Sequence, residues 1–253
     1  MAFSKIILAL PLVALAFAVP TAVESKPKAL EARQGGAGSV VTNSAGLAWY
    51  DSNFNDGNSG YSDTEYYYCF YGGASDFPPI GNWMNFYDMF DLNQDDSLDS
   101  EESGPIQGQL YNAIVQISEA SKVDARVILG VIMQESSGNV YVGCTYDSDG
   151  GANCGLMQAA PGSVSYDSSN SQASITHMVQ DGTQGTSQGD GYVQLINQYG
   201  NVYEAMRAYN SGSVDESDLD NAYGATASYV SDIANRLQGW NGAGAGGSNC
   251  GFS

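Results

Sequence analysis

The sequence predicts a mainly α core with its strands confined to one small region, and three observations carry that reading. Apolar residues recur at spacings of three and four once the chain passes residue 105, beginning with Ile106, Leu110, Ile114 and Ile117. A Gly-, Asp- and Ser-rich segment at 136–155 interrupts this pattern and holds two of the four cysteines, so a loop or small hairpin is expected there. Residues 34 to about 80 are rich in Gly, Ser, Asn, Asp and Tyr and lack helical period, but their aromatics and Cys69 argue against simple disorder. Loops and a short strand or two, packed on the main domain, are expected for them.

The helices follow in order. The run PIQGQLYNAIVQISEASKV forms the first helix of the main domain. Asp124 can then cap a second helix over about 125–135. Its residues 127–133 are all apolar or glycine, so it should be buried on most sides. Helical signals return at 172–181, 190–199, 201–210 and 225–238. The Gly-rich tail 241–253 is flexible except where Cys250 holds it, and no internal repeat is visible.

Ahead of all this stands a secretory leader. Lys5 precedes an apolar run at 6–18 that ends in Ala16-Phe17-Ala18, a small-residue cleavage site. The run is too short to span a membrane, and no later stretch approaches the ~20 apolar residues required. The mixed segment VPTAVESKPKALEAR reads as a pro-peptide ending at Arg33. The organisation is therefore a signal peptide (1–18), a pro-segment (19–33), an N-terminal extension (34–104), a helical domain (105–240) and the tail (241–253). A secreted, extracellular monomer is expected.

An oxidising compartment makes the even cysteine count a disulfide framework. Three connectivities are open to Cys69, Cys144, Cys154 and Cys250. We favour Cys144–Cys154, which closes a short loop, and Cys69–Cys250, which ties the extension to the C-terminus. Zinc is the competing use, but the spacing is wrong and His177 is the only histidine. The formal charge is −20; loss of residues 1–33 would leave 4 basic and 26 acidic residues, a net −22. Nucleic acid and anionic membranes are excluded as partners on that balance.

Glu135 ends the most apolar helix of the chain, in the stretch VILGVIMQESSGN. Desolvation and the negative end of the helix dipole both raise a carboxyl pKa at such a place. A carboxylic acid kept protonated near neutral pH is what glycosidic cleavage needs, since the leaving oxygen must receive a proton.

QESSGN (134–139), CGLMQAAPGS (154–163) and RAYNSGS (207–213) follow one another in order. With them the chain resembles the goose-type lysozyme and soluble lytic transglycosylase superfamily, glycoside hydrolase family 23, particularly its secreted fungal members. The segments ITHMVQDGTQGT and SDIANRLQGW resemble those members too, so the likeness covers roughly residues 105–240. It implies an α+β lysozyme-like fold, with the stapled loop beside an active-site cleft, and Glu135 as general acid. It further implies that Ser136 orients the acid or the substrate, and that Gly155, Leu156, Met157 and Gln158 line the cleft floor, with Gln158 offering its amide to the sugar. Tyr209 and Asn210 would sit against Glu135, a phenol hydroxyl holding the carboxyl. For Leu156, Met157 and Tyr209 the alternative is plain core packing.

The second carboxylate decides the reaction. An inverting hydrolase needs a base about 6.5–9.5 Å from the acid, whereas a lytic transglycosylase closes the sugar's own 6-hydroxyl onto the anomeric carbon. Goose-type enzymes hydrolyse, using aspartates in the loop after the glutamate. Asp147 and Asp149 occupy that loop here, although beside Gly150-Gly151 they also read as turn formers.

No cofactor is expected. DLNQDDSLDSEE nonetheless matches much of a calcium loop, with Asp91, Asn93, Asp95, Ser97, Asp99 and Glu102 at ligand positions. Asp96 stands where the sharp turn wants glycine, and Gly104-Pro105 cuts the exit helix short. An acidic linker is the plainer reading.

Three functions follow. The first is a glycosidase or transglycosylase cleaving β-1,4 links between N-acetylated aminosugars in peptidoglycan (muramidase-type). Another is a chitinase, favoured by the acidity of the chain; the third is an inactive sugar-binding protein.

Overall fold

The computed structural model describes residues 40–98, 103–147, 149–244 and 246–252. The leader, the pro-segment, and the would-be calcium ligands Asp99 and Glu102 lie outside the described residues. Helix α1 covers Ser44–Leu47 and α2 Phe86–Asn93, both within the N-terminal extension. The main domain contributes α3 (Gly104–Ser121), α4 (Ala125–Ser136), α5 (Ser171–Gln184), α6 (Tyr192–Tyr199), α7 (Val202–Ser211) and α8 (Tyr229–Leu237). One antiparallel hairpin, β1 (Thr145–Tyr146) with β2 (Ala152–Asn153), is the only sheet among the described residues. The fold is thus mainly α, lysozyme-like in proportion, with both expected disulfides, Cys144–Cys154 and Cys69–Cys250, formed.

α4 is the hub. Residues 125–133 are buried on every side, as the apolar run 127–133 requires, with Arg126 the one charged residue among them. Its N-terminus is fixed by Asp124, whose carboxylate accepts the Arg126 backbone N–H at 3.0 Å and pairs with the Arg126 guanidinium at 2.8 Å. That guanidinium lies 5.0 Å from the Trp83 ring, so the buried charge is covered by an aromatic face from the extension. α8 packs along α4, and Gly130 sets their separation: a Cβ there would come within 3.1 Å of Ile233. Around this pair, α3 packs on α5 and α6 on α7.

The extension is more deeply involved than its polar composition suggests. Trp83, Phe86, Met89 and Leu98 are fully buried and belong to the same hydrophobic core as Ile128 and Ile132 of α4. Its residues 61–72 also run along α8. Tyr61 and Tyr67 donate hydroxyl hydrogen bonds to Gln238 and Asp232, and the Tyr68 N–H donates to Asn235. Over 40–98 the described chain forms short helices and turns where a strand or two had been expected, because its backbone groups are taken up by α8 and by Asx turns.

The calcium-like segment has a different local form. Asp91 and Asn93 lie inside α2, where the Asn93 amide donates back to Met89 O at 2.7 Å, and 94–98 continue as a π turn. Among the described residues no group of three His, Cys, Asp or Glu side chains could hold a metal. Nor is any described helix long and apolar enough to cross a membrane.

Candidate active site

The site begins where α4 stops. Ser137 takes a left-handed φ of 55° and its N–H bonds to Met133 O, a C-cap that turns the chain out of the core. Gly138 follows at φ 79°, and a Cβ there would collide with Leu98 at 2.1 Å. Ser-Ser-Gly is therefore a consequence of ending a buried helix against a packed neighbour. Glu135 is left in the last turn, partly open to solvent and closely walled by apolar and aromatic side chains.

Burial pushes the Glu135 carboxyl up to about 7. The C-terminal end of the α4 dipole acts in the same direction. One contact opposes them: the Tyr229 hydroxyl donates to Glu135 Oε1 at 2.7 Å and steadies the charged form. No neighbouring carboxylate among the described residues is a cause of the shift.

Tyr229 opens α8 and is buried, its own pKa raised well above 10 by loss of water and by the Glu135 charge. Two further tyrosines complete the wall. Tyr192, the first residue of α6, stacks on Tyr209 of α7 with ring centroids 4.6 Å apart, and both rings feel the Glu135 charge. Behind Tyr229 stands Arg207, fully buried, its guanidinium 6.0 Å from the Tyr229 ring. Burial lowers this arginine to about 10, which still leaves it charged at neutral pH. It donates to Leu219 O at 3.2 Å and Thr226 O at 3.0 Å, drawing in the α7–α8 loop that delivers Tyr229.

The residues expected around the acid divide into two groups. Tyr209 is close to Glu135, but its hydroxyl donates to Met157 O at 2.9 Å; the phenol that holds the carboxyl is Tyr229. Asn210 is likewise turned away, accepting from Arg207 and from the Thr226 N–H at 3.2 Å. Ser136 donates to Ile132 O and Leu156 O, at 3.0 and 2.8 Å, and so ties the end of α4 to the Gly155–Gln158 turn without touching the carboxyl. In that turn Leu156 and Met157 are fully buried core. Gly155 sits at φ 76°, where a Cβ would lie 2.7 Å from Val164 O.

Gln158 was expected to offer its amide to the sugar, and the turn uses that amide completely. Oε1 accepts from the Thr145 N–H at 3.2 Å and the Thr145 hydroxyl at 3.0 Å. Nε2 donates to Gly143 O at 3.1 Å and Gly155 O at 3.0 Å. The side chain thus fastens the hairpin to the turn. Asp147 does similar work inside the hairpin, accepting from the N–H groups of Asp149 and Gly151 at 3.0 and 2.7 Å, while Asp149 is exposed.

Tyr229 and Tyr192 had no signal of their own in the sequence, each lying in a helical stretch where a buried aromatic reads the same way. Arg207 opens the RAYNSGS motif, but the motif implied no role for it.

Residues 112–230 match the family model described as the transglycosylase SLT domain. The chain carries an SLT domain. No curated protein and no solved structure matches it. The SLT match starts inside α3 and ends one residue beyond Tyr229, so it takes in Glu135, the stapled hairpin, the Gly155–Gln158 turn and the tyrosine wall. The match supports a lysozyme-like, glycan-cleaving activity for this domain. The extension and the tail fall wholly outside the SLT match.

Proposed function

We propose that the protein is a secreted lytic transglycosylase of β-1,4-linked N-acetylated aminosugars, peptidoglycan by preference, with Glu135 as its general acid. The observation that carries this reading is the Glu135 carboxyl raised to about 7 and held at Oε1 by Tyr229. At that value one group can serve both halves of a transglycosylation. Protonated Glu135 delivers its proton to the glycosidic oxygen as the C1–O4 bond breaks. The resulting carboxylate then removes the proton of the sugar's 6-hydroxyl as that oxygen closes on C1, giving a 1,6-anhydro end with no water consumed. Tyr229 stabilises the carboxylate between the two steps. The proton taken from the 6-hydroxyl leaves Glu135 protonated for the next cycle.

Two supports favour closure over hydrolysis. No second carboxylate among the described residues is a cause of the raised Glu135 carboxyl, and Asp147 uses its Oδ1 in the hairpin turn. Hydrolysis with Asp147 or Asp149 as base is the alternative, as in the goose-type enzymes the chain resembles. Chitin is the alternative substrate, favoured by the formal charge of −20, which disfavours an anionic cell wall.

Mass spectrometry of products from peptidoglycan and from chito-oligosaccharides tests the reading, with Glu135→Gln as control. Muropeptides lacking one water are expected. Ordinary reducing ends would move the reaction to hydrolysis, and cleavage of chitin alone would move the substrate. Sugar binding without any product would leave a binding protein.

A further inference from the structure

A cavity of about 480 Å³ opens between the extension, the α7–α8 loop and the C-terminal tail. Its aromatic walls are Tyr71, 47% exposed, and Phe252, whose ring lies 4.9 Å from that of Tyr71. Ser217, Asp218, Asp220 and Asn221 supply its polar wall, and no lysine, arginine or histidine lines it. Tyr71 and Phe252 both lie outside residues 112–230, so the cavity is a property of this chain and not of the SLT domain it carries.

The cavity is built rather than incidental. Cys69–Cys250 joins the two outer segments across 181 residues, and the Tyr71 hydroxyl bonds to Cys250 O. The Gly72 N–H donates to Asp220 Oδ2 at 3.2 Å, while Gly72 O accepts from the Leu219 N–H at 2.8 Å. Three segments distant in sequence are therefore locked before any ligand arrives, which lowers the ordering cost of binding.

We infer that this cavity is a second glycan site, which binds an amino-sugar chain lacking carboxylates and holds polymer to the enzyme away from Glu135. Ring faces take the apolar face of a pyranose, and the carboxylates and amide beside them accept and donate to its hydroxyls and nitrogen. The anionic wall decides the class of sugar: a lactyl-bearing muramic residue would be repelled, whereas an acetylated or free glucosamine is not. The choice of an amino sugar rests on the glycan reading proposed above; the exclusion of anionic ligands rests on the cavity alone.

Titration calorimetry on the Glu135→Gln protein tests this with three probes: N-acetylglucosamine hexamer, glucosamine hexamer and a muramic-acid-containing tetrasaccharide. Tyr71→Ala should remove one binding site for either hexamer, or weaken it about tenfold, the loss expected for one desolvated ring contact. Asp218→Lys, an exposed replacement, should weaken glucosamine hexamer and strengthen the muramic tetrasaccharide at that site. In the otherwise native enzyme, Tyr71→Ala should leave turnover of a short soluble substrate within about twofold and lower turnover of insoluble polymer whose sugars carry no carboxylate. Unchanged titrations in both variants would overturn the site, and a loss of muramic-tetrasaccharide binding in Tyr71→Ala equal to that of the hexamers would overturn its chemistry. Absence of any cleavage would count against the catalytic reading alone, because the titrations do not depend on turnover.

Discussion

The two stretches that meet at the end of α4 treat their polar groups in opposite ways. Glu135 has one hydrogen-bond partner among the described residues and a carboxyl raised to about 7, an arrangement that leaves a proton available for transfer. Further along the chain, Gln158 spends both ends of its amide on four contacts within the hairpin and turn. Both residues belong to motifs by which the chain resembles its family. The contrast teaches that a motif residue can serve the chemistry or the scaffold, and that hydrogen-bond saturation tells which.

The largest test of that contrast removes the proton. Glu135→Gln should lower kcat/KM by about 10²–10⁴, the usual contribution of a general acid, with sugar binding retained. The same variant should be more stable than its parent at high pH. With a folded pKa near 7 against an ordinary 4.5, the carboxyl favours the folded state while protonated, below about 4.5, and that contribution is lost as pH rises through 7. Thermal melts at pH 8 should therefore favour Glu135→Gln by on the order of 2 kcal/mol, less than the full shift because the residue is partly solvated, and the gap should close at pH 4. Parent activity should fall on the alkaline side with an apparent pKa of about 7.

Gln158→Ala attacks the saturated side. Loss of four partly buried hydrogen bonds should cost about 2 kcal/mol in denaturant unfolding, while the alkaline limb of the activity profile stays in place. A displaced limb would mean that the amide reaches the acid after all. Tyr229→Phe sits between the two cases, removing one hydrogen bond to a charged group and little packing. It should reduce kcat by about tenfold, leave KM nearly unchanged, and move the alkaline limb upward, since the carboxylate loses its donor.

The smallest effect is expected at Asp147. Asp147→Asn keeps the Oδ1 acceptor that the Asp149 and Gly151 N–H groups use, and removes only the charge. Under the transglycosylase reading its activity stays within about twofold, whereas a loss comparable to that of Glu135→Gln, near the lower figure of about 10², would restore the aspartate as a hydrolytic base.

Much of this architecture was legible in the residues. The Asp124 cap, the apolar run that buries α4 and the stop at Ser-Ser-Gly are local events, set by spacing and by backbone preference. The hairpin between Cys144 and Cys154 was readable for the same reason, as a short loop with turn residues inside it. The tyrosine that faces the acid was not. Tyr209 and Tyr229 both lie in helices and both come near Glu135, but Tyr229 bonds to the acid and Tyr209 to Met157 O. That difference depends on how α7 and α8 pack around Arg207, which no local pattern encodes. The extension was misleading in another way: Trp83 and Phe86 lie among polar neighbours in sequence, yet they bury their rings against α4.

The sequence by itself therefore determined which carboxyl would stand at the end of a buried helix, because helical period and capping are short-range. Only the tertiary structure decided what holds that carboxyl, which motif residues are already satisfied, and where the extension and tail line an open cavity away from it. Those outcomes are contacts between segments far apart in the chain, fixed by packing rather than by any neighbour in sequence.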